Sequence, residues 1–156
     1  MKIIEGNKQV KNLHLAIVQS KFNENISERL LAGALSCLRE YGLEEDEIPI
    51  IKVPGAFEIP VAAEKLASQK IYDAIICLGA VIKGETAHFE YISKAVTDGI
   101  LKIGLKYGIP VIFGVLTAYT EEQAEARAGE KENNKGWEAA ETALEMANLM
   151  KRLNNL

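Results

Sequence analysis

Four short apolar runs alternate with segments of helical period, and that alternation constrains the fold of this chain more than any other feature. Leu13, Leu15 and Ile17 interleave with His14, Ala16 and Val18 as a buried strand. Ile48 to Val53, Ala74 to Leu78 and Val111 to Leu116 read as three more. After the first strand, Ile26, Leu30, Ala34 and Leu38 repeat every four residues, with Leu31 and Leu35 beside them. Asn25 and Glu28 are spaced to cap that helix, and Gly42 ends it. Pro60 opens a second helix, to about Gln69, where its missing N–H would have had no partner. A third runs from about His88 to Tyr107 and stops at Gly108. Thr120 and Gln123 predict a capping box for a short helix ending near Gly129. The polar stretch Glu130 to Lys135 leads to a last amphipathic helix through Leu153, on which Trp137, Ala140, Leu144 and Ala147 read as core. Strands separated by helices and buried on both faces predict an α/β fold: a three-layer αβα sandwich around a parallel four-stranded sheet with right-handed crossovers. A short strand, Lys2 to Glu5, precedes all of this and ends at Gly6-Asn7. No helix ties it to the sheet, so it is expected on an edge of the same sheet or on a neighbouring subunit.

At 156 residues the chain is expected to form one domain over 1–156. A net charge of −4 disfavours holding a phosphate backbone by bulk charge, so no nucleic-acid partner is expected. An apolar fraction of 48% excludes disorder. The longest uncharged run, Gly108 to Thr120, is short of the roughly 18 residues of a membrane span. Met-Lys-Ile-Ile-Glu-Gly-Asn-Lys breaks into charge at once and does not read as a secretory signal. Cys37 and Cys77 have neither metal nor redox spacing and read as buried fillers, which suits a reducing cytoplasm.

In open parallel sheets, ligands bind outside the carboxyl ends of the strands. The loops there begin at Gln19, Pro54, Gly79 and Thr117, and they hold the least ordinary chemistry of the chain. Phe22, between Lys21 and Asn23, is either a staple onto the next helix or a stacking platform for a planar ligand. In Pro-Gly-Ala-Phe-Glu-Ile-Pro, two prolines fix the backbone around Phe57 and Glu58. Glu58 either offsets a helix dipole or binds hydroxyls. Gly79 and Gly84 bracket a segment whose backbone can approach a ligand, and Thr86 opens a helix suited to anions. The segment lacks the dinucleotide fingerprint and the Walker lysine–serine pair. His88 lies at the start of that helix, in the loop region expected for ligands, and its imidazole is a candidate proton-transfer group; His14, inside the first strand, reads as structural. Arg127 is either an intrahelical ion-pair partner of Glu121, Glu122 or Glu125, or a ligand group, and Lys135 a surface charge.

Five segments together resemble the lumazine synthase family: Pro54-Gly-Ala-Phe-Glu-Ile-Pro60, Gly79-Ala-Val-Ile-Lys-Gly-Glu-Thr-Ala-His-Phe89, Phe113-Gly-Val-Leu-Thr117, Arg127-Ala-Gly129 and Asn134-Lys-Gly-Trp-Glu-Ala-Ala140. They come in the family's order and spacing over nearly the whole chain. The resemblance implies a flavodoxin-like sandwich, in agreement with the periodicity. It implies condensation of 5-amino-6-(D-ribitylamino)uracil with 3,4-dihydroxy-2-butanone 4-phosphate to 6,7-dimethyl-8-ribityllumazine, phosphate and water, the penultimate step of riboflavin biosynthesis. The implied scheme runs through an imine, phosphate loss, ring closure and dehydration, with neither metal nor cofactor. By the resemblance, Phe22 stacks on the pyrimidine, while Ala56, Phe57 and Glu58 hold the ribityl chain and ring edge. Ala80, Val81 and Ile82 present backbone groups to the uracil. Glu85, Thr86 and Arg127 bind the phosphate, and His88 moves protons. Phe113 and Lys135, with Arg127, are implied to come from a neighbouring subunit. Phe57 stands where tryptophan is frequent, and Lys83 where arginine is common, which removes a bidentate contact. The implied assembly is a homo-oligomer of pentamers, in some members closed into an icosahedral shell, with riboflavin synthase as a partner for some. The short turn Glu130 to Asn134 leans towards a shell.

Three other readings compete with this one. A flavodoxin-like binding or phosphorelay module is disfavoured because Gln19-Ser20 is no acidic pair and no Ser/Thr-rich phosphate loop follows. A shell that has lost catalysis is disfavoured by the presence of His88 and Arg127. A riboflavin synthase of the same fold is the nearest enzymatic rival.

Overall fold

A computed structural model describes residues 1–156. The elements run β1 (Leu15–Ser20), α1 (Glu24–Glu40), β2 (Ile50–Val53), α2 (Ile59–Ala67), β3 (Ala74–Ile82), α3 (His88–Tyr107), β4 (Val111–Ala118), α4 (Glu121–Ala126) and α5 (Lys135–Asn154). The four strands are parallel in the order β2-β1-β3-β4. Alternation along each strand sorts its side chains onto two faces. Leu15, Ile17, Ile76 and Leu78 pack with Leu31, Leu38, Ala140 and Leu144 of α1 and α5. Ala16, Val18, Ile75 and Cys77 pack with Ile59, Ala63, Val96 and Ile100 of α2 and α3. This is the expected three-layer sandwich. No helix is long and apolar enough to cross a membrane. Cys37 and Cys77 are buried, and desolvation pushes both thiols up to about 12, so they are inert fillers.

Several local expectations are corrected. Lys2 to Glu5 form no strand in the single chain, since neither sheet edge pairs with them. The start of α1 does not use Asn25. Asn23 precedes the helix in the left-handed region (φ 56°), and Glu28 instead pairs with Lys52 at 2.6 Å. Strand β3 continues through Ile82, four residues past the expected end, because Gly79 to Ile82 find a ladder of partners from Val115 to Ala118 on β4. The short helix stops at Ala126 rather than near Gly129. Thr120 does accept the N–H of Gln123, but Gln123 reaches back to Tyr119 N rather than to Thr120 N. His14 lies ahead of β1 with its side chain exposed, and its backbone N–H donates to Asp73. Trp137 is half-buried, while Ala140, Leu144 and Ala147 are core as expected.

The residues after the N-terminal segment are strapped to α5. Asn148 Nδ2 donates to the carbonyls of Asn7 and Gln9, each at 2.9 Å. Lys8 Nζ and Tyr41 OH both donate to Glu141 Oε2 at 2.8 Å, and Trp137 Nε1 donates to Oε1 at 3.1 Å. The hydrogen bond from Lys8 holds the Glu141 carboxyl below its ordinary value. A carboxyl depressed by folding contributes stability that is present above the usual carboxylate range and lost as pH falls through the lowered value. Acidification is therefore expected to loosen Asn7 to Gln9 in the natural chain, read as lost protection of that segment from limited proteolysis. Glu141→Gln should show reduced protection there already at neutral pH. Equal protection in the two proteins at neutral pH would mean that Asn148 alone holds the strap.

Candidate functional site

Strand order reverses between β1 and β3: the chain leaves β1 towards β2, then returns to build β3 and β4 on the other side. At such a switch point the two flanking loops turn away in opposite directions and leave a crevice beyond the strand ends. A pocket of about 610 Å³ lies here, lined by the loops after β1 and β2, the end of β3 and the start of α3.

The loop after β1 supplies Phe22. Its backbone N–H donates to Pro54 O at 3.0 Å, and Lys21 N donates to Val53 O at 2.8 Å, so the loop is fastened to the end of β2. Phe22 is 71% exposed, which rules out a packed staple and leaves an aromatic side chain on the pocket. Asn23 Nδ2 donates to the Ala80 carbonyl at 3.0 Å and ties this loop across to β3. The loop after β2 folds as a single 3₁₀ turn, Ala56–Glu58, before α2. Glu58 Oε2 accepts the Gly55 N–H at 3.0 Å, so one carboxylate oxygen shapes the loop. Phe57 is 58% exposed at the rim. Ala80, Val81 and Ile82 line the wall from the strand end rather than from a loop, which gives their backbone a fixed register against β4. Thr86 Oγ1 accepts the His88 N–H at 3.4 Å, and His88, the first residue of α3, is exposed on the pocket.

The structure thus gathers Phe22, Ala56, Phe57, Glu58, Ala80, Val81, Ile82, Thr86 and His88 around one crevice. Four candidates lie elsewhere. Glu85 is exposed beside Thr86 but does not line the pocket. Phe113 and Lys135 share a separate groove on the β4 edge with Glu138, Ala139 and Thr142. Arg127 is exposed at the end of α4, where Nη1 donates to the Gln123 carbonyl at 3.1 Å and no ion pair forms. Lys135 pairs with Glu138 at 3.1 Å. The reading of the sequence missed Asn23, Phe89 and Ile92, which also line the pocket. Asn23 had a signal, since asparagine tolerates the left-handed backbone that a sharp strand-to-helix turn needs. Phe89 and Ile92 had the helical spacing of one face.

The crevice thus combines an aromatic ring at Phe22, the carboxylate of Glu58 and the N-terminal end of the twenty-residue helix α3. The 6,7-dimethyl-8-ribityllumazine synthase family model matches residues 12–151 of the chain.

Proposed function

The chain belongs to the 6,7-dimethyl-8-ribityllumazine synthase family, and from that membership we propose that it condenses 5-amino-6-(D-ribitylamino)uracil with 3,4-dihydroxy-2-butanone 4-phosphate. The observation that carries the proposal is the convergence of Phe22, Glu58, Ala80 to Ile82, Thr86 and His88 on one crevice at the sheet's switch point. The pyrimidine stacks on Phe22 with its edge along Ala80 to Ile82. The ribityl chain lies against Ala56 and Phe57, with its hydroxyls meeting Glu58. The phosphate of the second substrate sits by Glu85 and Thr86, where the N-terminal end of α3 favours an anion.

The amine of the pyrimidine attacks the ketone, and loss of water gives the imine. His88 moves the protons of that step and of the elimination that expels phosphate. Ring closure and a second loss of water complete the lumazine. The chemistry joins a reactive amine to a ketone, so holding the two together supplies much of the rate, with proton transfer adding a factor on the order of 10²–10⁴. Purified protein supplied with both substrates should yield the lumazine and inorganic phosphate, followed by chromatography and a phosphate assay. Riboflavin formed from lumazine alone, with no condensation, would replace this reading with a riboflavin synthase.

The site is completed by a second copy of the chain. Arg127, Phe113 and Lys135 lie off the crevice in their own chain, while the phosphate subsite within it lacks a guanidinium. On α3, only Val96, Ile100 and Ile103 of twenty residues are buried, and Tyr91, Leu101 and Leu105 stand exposed. An apolar face of that kind fits a subunit interface. A head-to-tail ring, a pentamer by the family resemblance, sets Arg127, Phe113 and Lys135 of one chain at the crevice of the next. Native mass spectrometry should give multiples of five; a monomer would end the shared-site reading.

Phe22→Ala should weaken the pyrimidine substrate by about 1–3 kcal/mol, the scale of base–aromatic stacking, and the phosphate substrate much less. Titrations that show both substrates weakened alike would make Phe22 a structural residue.

A further inference from the structure

The segment between β3 and α3 carries Thr86 and His88 yet is almost without packing of its own. Lys83 to His88 are all exposed, and a side chain at Gly84 would meet nothing. Lys83 N donates to Ala118 O at 2.9 Å, which anchors the segment's first residue to the end of β4. From there to the first turn of α3, the hydrogen bond from His88 N to Thr86 is local and long, at 3.4 Å. A reacting histidine on so bare a segment needs something to hold it.

Tyr119, the residue after β4, reaches both ends of that segment. Its ring lies 5.9 Å from the Phe89 ring, tilted by 47°, which is a favourable aromatic geometry. Lys83 Nζ lies 5.8 Å from the centroid of the same ring, within cation–π range. The backbone of Tyr119 is itself fixed, because its N–H donates to Gln123 Oε1 at 2.9 Å while Gln123 N donates to Thr120 Oγ1 at 3.1 Å. Tyr119 is nonetheless 68% exposed and adds little to the core. Its contacts therefore bear on the segment rather than on the fold.

We propose that Tyr119 is a positioning residue, an aromatic clamp that spans Lys83 and Phe89 and so sets the place of Thr86 and His88. The inference rests on the reading of this crevice as the site where a phosphate-bearing substrate binds. Tyr119 touches neither substrate and acts through the two ends of the segment. Phe89 fixes the first turn of α3, where His88 sits. Lys83, at the other end of the segment, is drawn over the ring.

The test compares Tyr119→Ala and Tyr119→Phe in the assembled full-length protein. Hydrogen exchange reads the clamp directly. The hydrogen-bonded amides of His88, Glu90 and Tyr91 should exchange about 3- to 10-fold faster in Tyr119→Ala and at the natural rate in Tyr119→Phe, which keeps the ring face. Steady-state kinetics read its consequence. The KM for the phosphate-bearing substrate should rise by about the same factor in Tyr119→Ala, with the KM for the pyrimidine changed less than about twofold. Unchanged exchange in Tyr119→Ala overturns the clamp, as does a variant in which both KM values rise alike. Failure of Tyr119→Phe to restore the natural behaviour overturns it too, since the hydroxyl would then be the active part. A natural protein that does not condense the two substrates removes the functional reading, and the exchange comparison still decides the clamp.

Discussion

Replacing His88 with alanine is expected to lower turnover by about 10- to 10³-fold with substrate affinities nearly intact, at or below the usual range for a general acid–base group because proximity remains. The expectation rests on place: His88 opens α3 at the mouth of the crevice, exposed and one residue pair from Thr86. Unchanged turnover would remove it from the mechanism. Arg127→Ala should also be poorly active, chiefly through weaker binding of the phosphate substrate. The two defects should complement in mixed assemblies, because the proposed site joins His88 of one chain to Arg127 of the next. With random equal mixing, about one junction in four pairs two intact residues in a head-to-tail ring, so recovery should approach that fraction of natural activity. Mass spectrometry must show both chains in the same particles. Mixed particles no better than the average of the two parents would place both residues in one chain's site.

Asn134→Ala should be strongly destabilising, costing about 2–4 kcal/mol. Asn134 is only 3% exposed and satisfies four backbone groups at once. Oδ1 accepts the N–H groups of Gly136 and Trp137 at 2.8 and 3.1 Å, which caps α5, and Nδ2 donates to the carbonyls of Arg29 and Gly129 at 3.0 and 2.8 Å. Alanine leaves those groups buried without the partner. Asn134→Asp keeps the cap but turns a buried carboxylate oxygen towards the Arg29 and Gly129 carbonyls, so it should cost at least as much as alanine. Two glycines make room for the arrangement: a side chain at Gly33 would run into Asn134, and one at Gly136 into the Leu30 carbonyl. Urea unfolding at fixed protein concentration would measure the loss. A midpoint shift equivalent to less than about 1 kcal/mol would mean that water takes over the cap.

The layers of this protein were legible in the sequence because burial on two faces writes itself into local order. A strand such as Ala74 to Leu78 must be apolar throughout, and a helix such as α1 must repeat its apolar residues at helical spacing, whatever else the chain does. The candidate site was legible too, through glycines, prolines and exposed aromatics at the strand ends. Phe22, Glu58 and His88 stood out as chemistry that packing does not require, and the fold does bring them to one crevice. Boundaries were less legible. The sequence of Gly79 to Ile82 reads as a loop, and only pairing with β4 extends it as strand, since ladder hydrogen bonds come from a distant segment. The same reason applies to Lys2 to Glu5, whose strand-like pattern finds no partner in the single chain. By itself the sequence determined the αβα layering and the strand-end location of the residues available for chemistry, because these depend on neighbours a few positions away. Only the tertiary structure decided that Asn23 joins two site loops, that Asn134 knits α1 to α5, that Tyr119 spans Lys83 and Phe89, and that Arg127, Phe113 and Lys135 stand apart from His88 within one chain. Each of these depends on where groups separated by dozens of residues meet in space, and local periodicity carries no record of that.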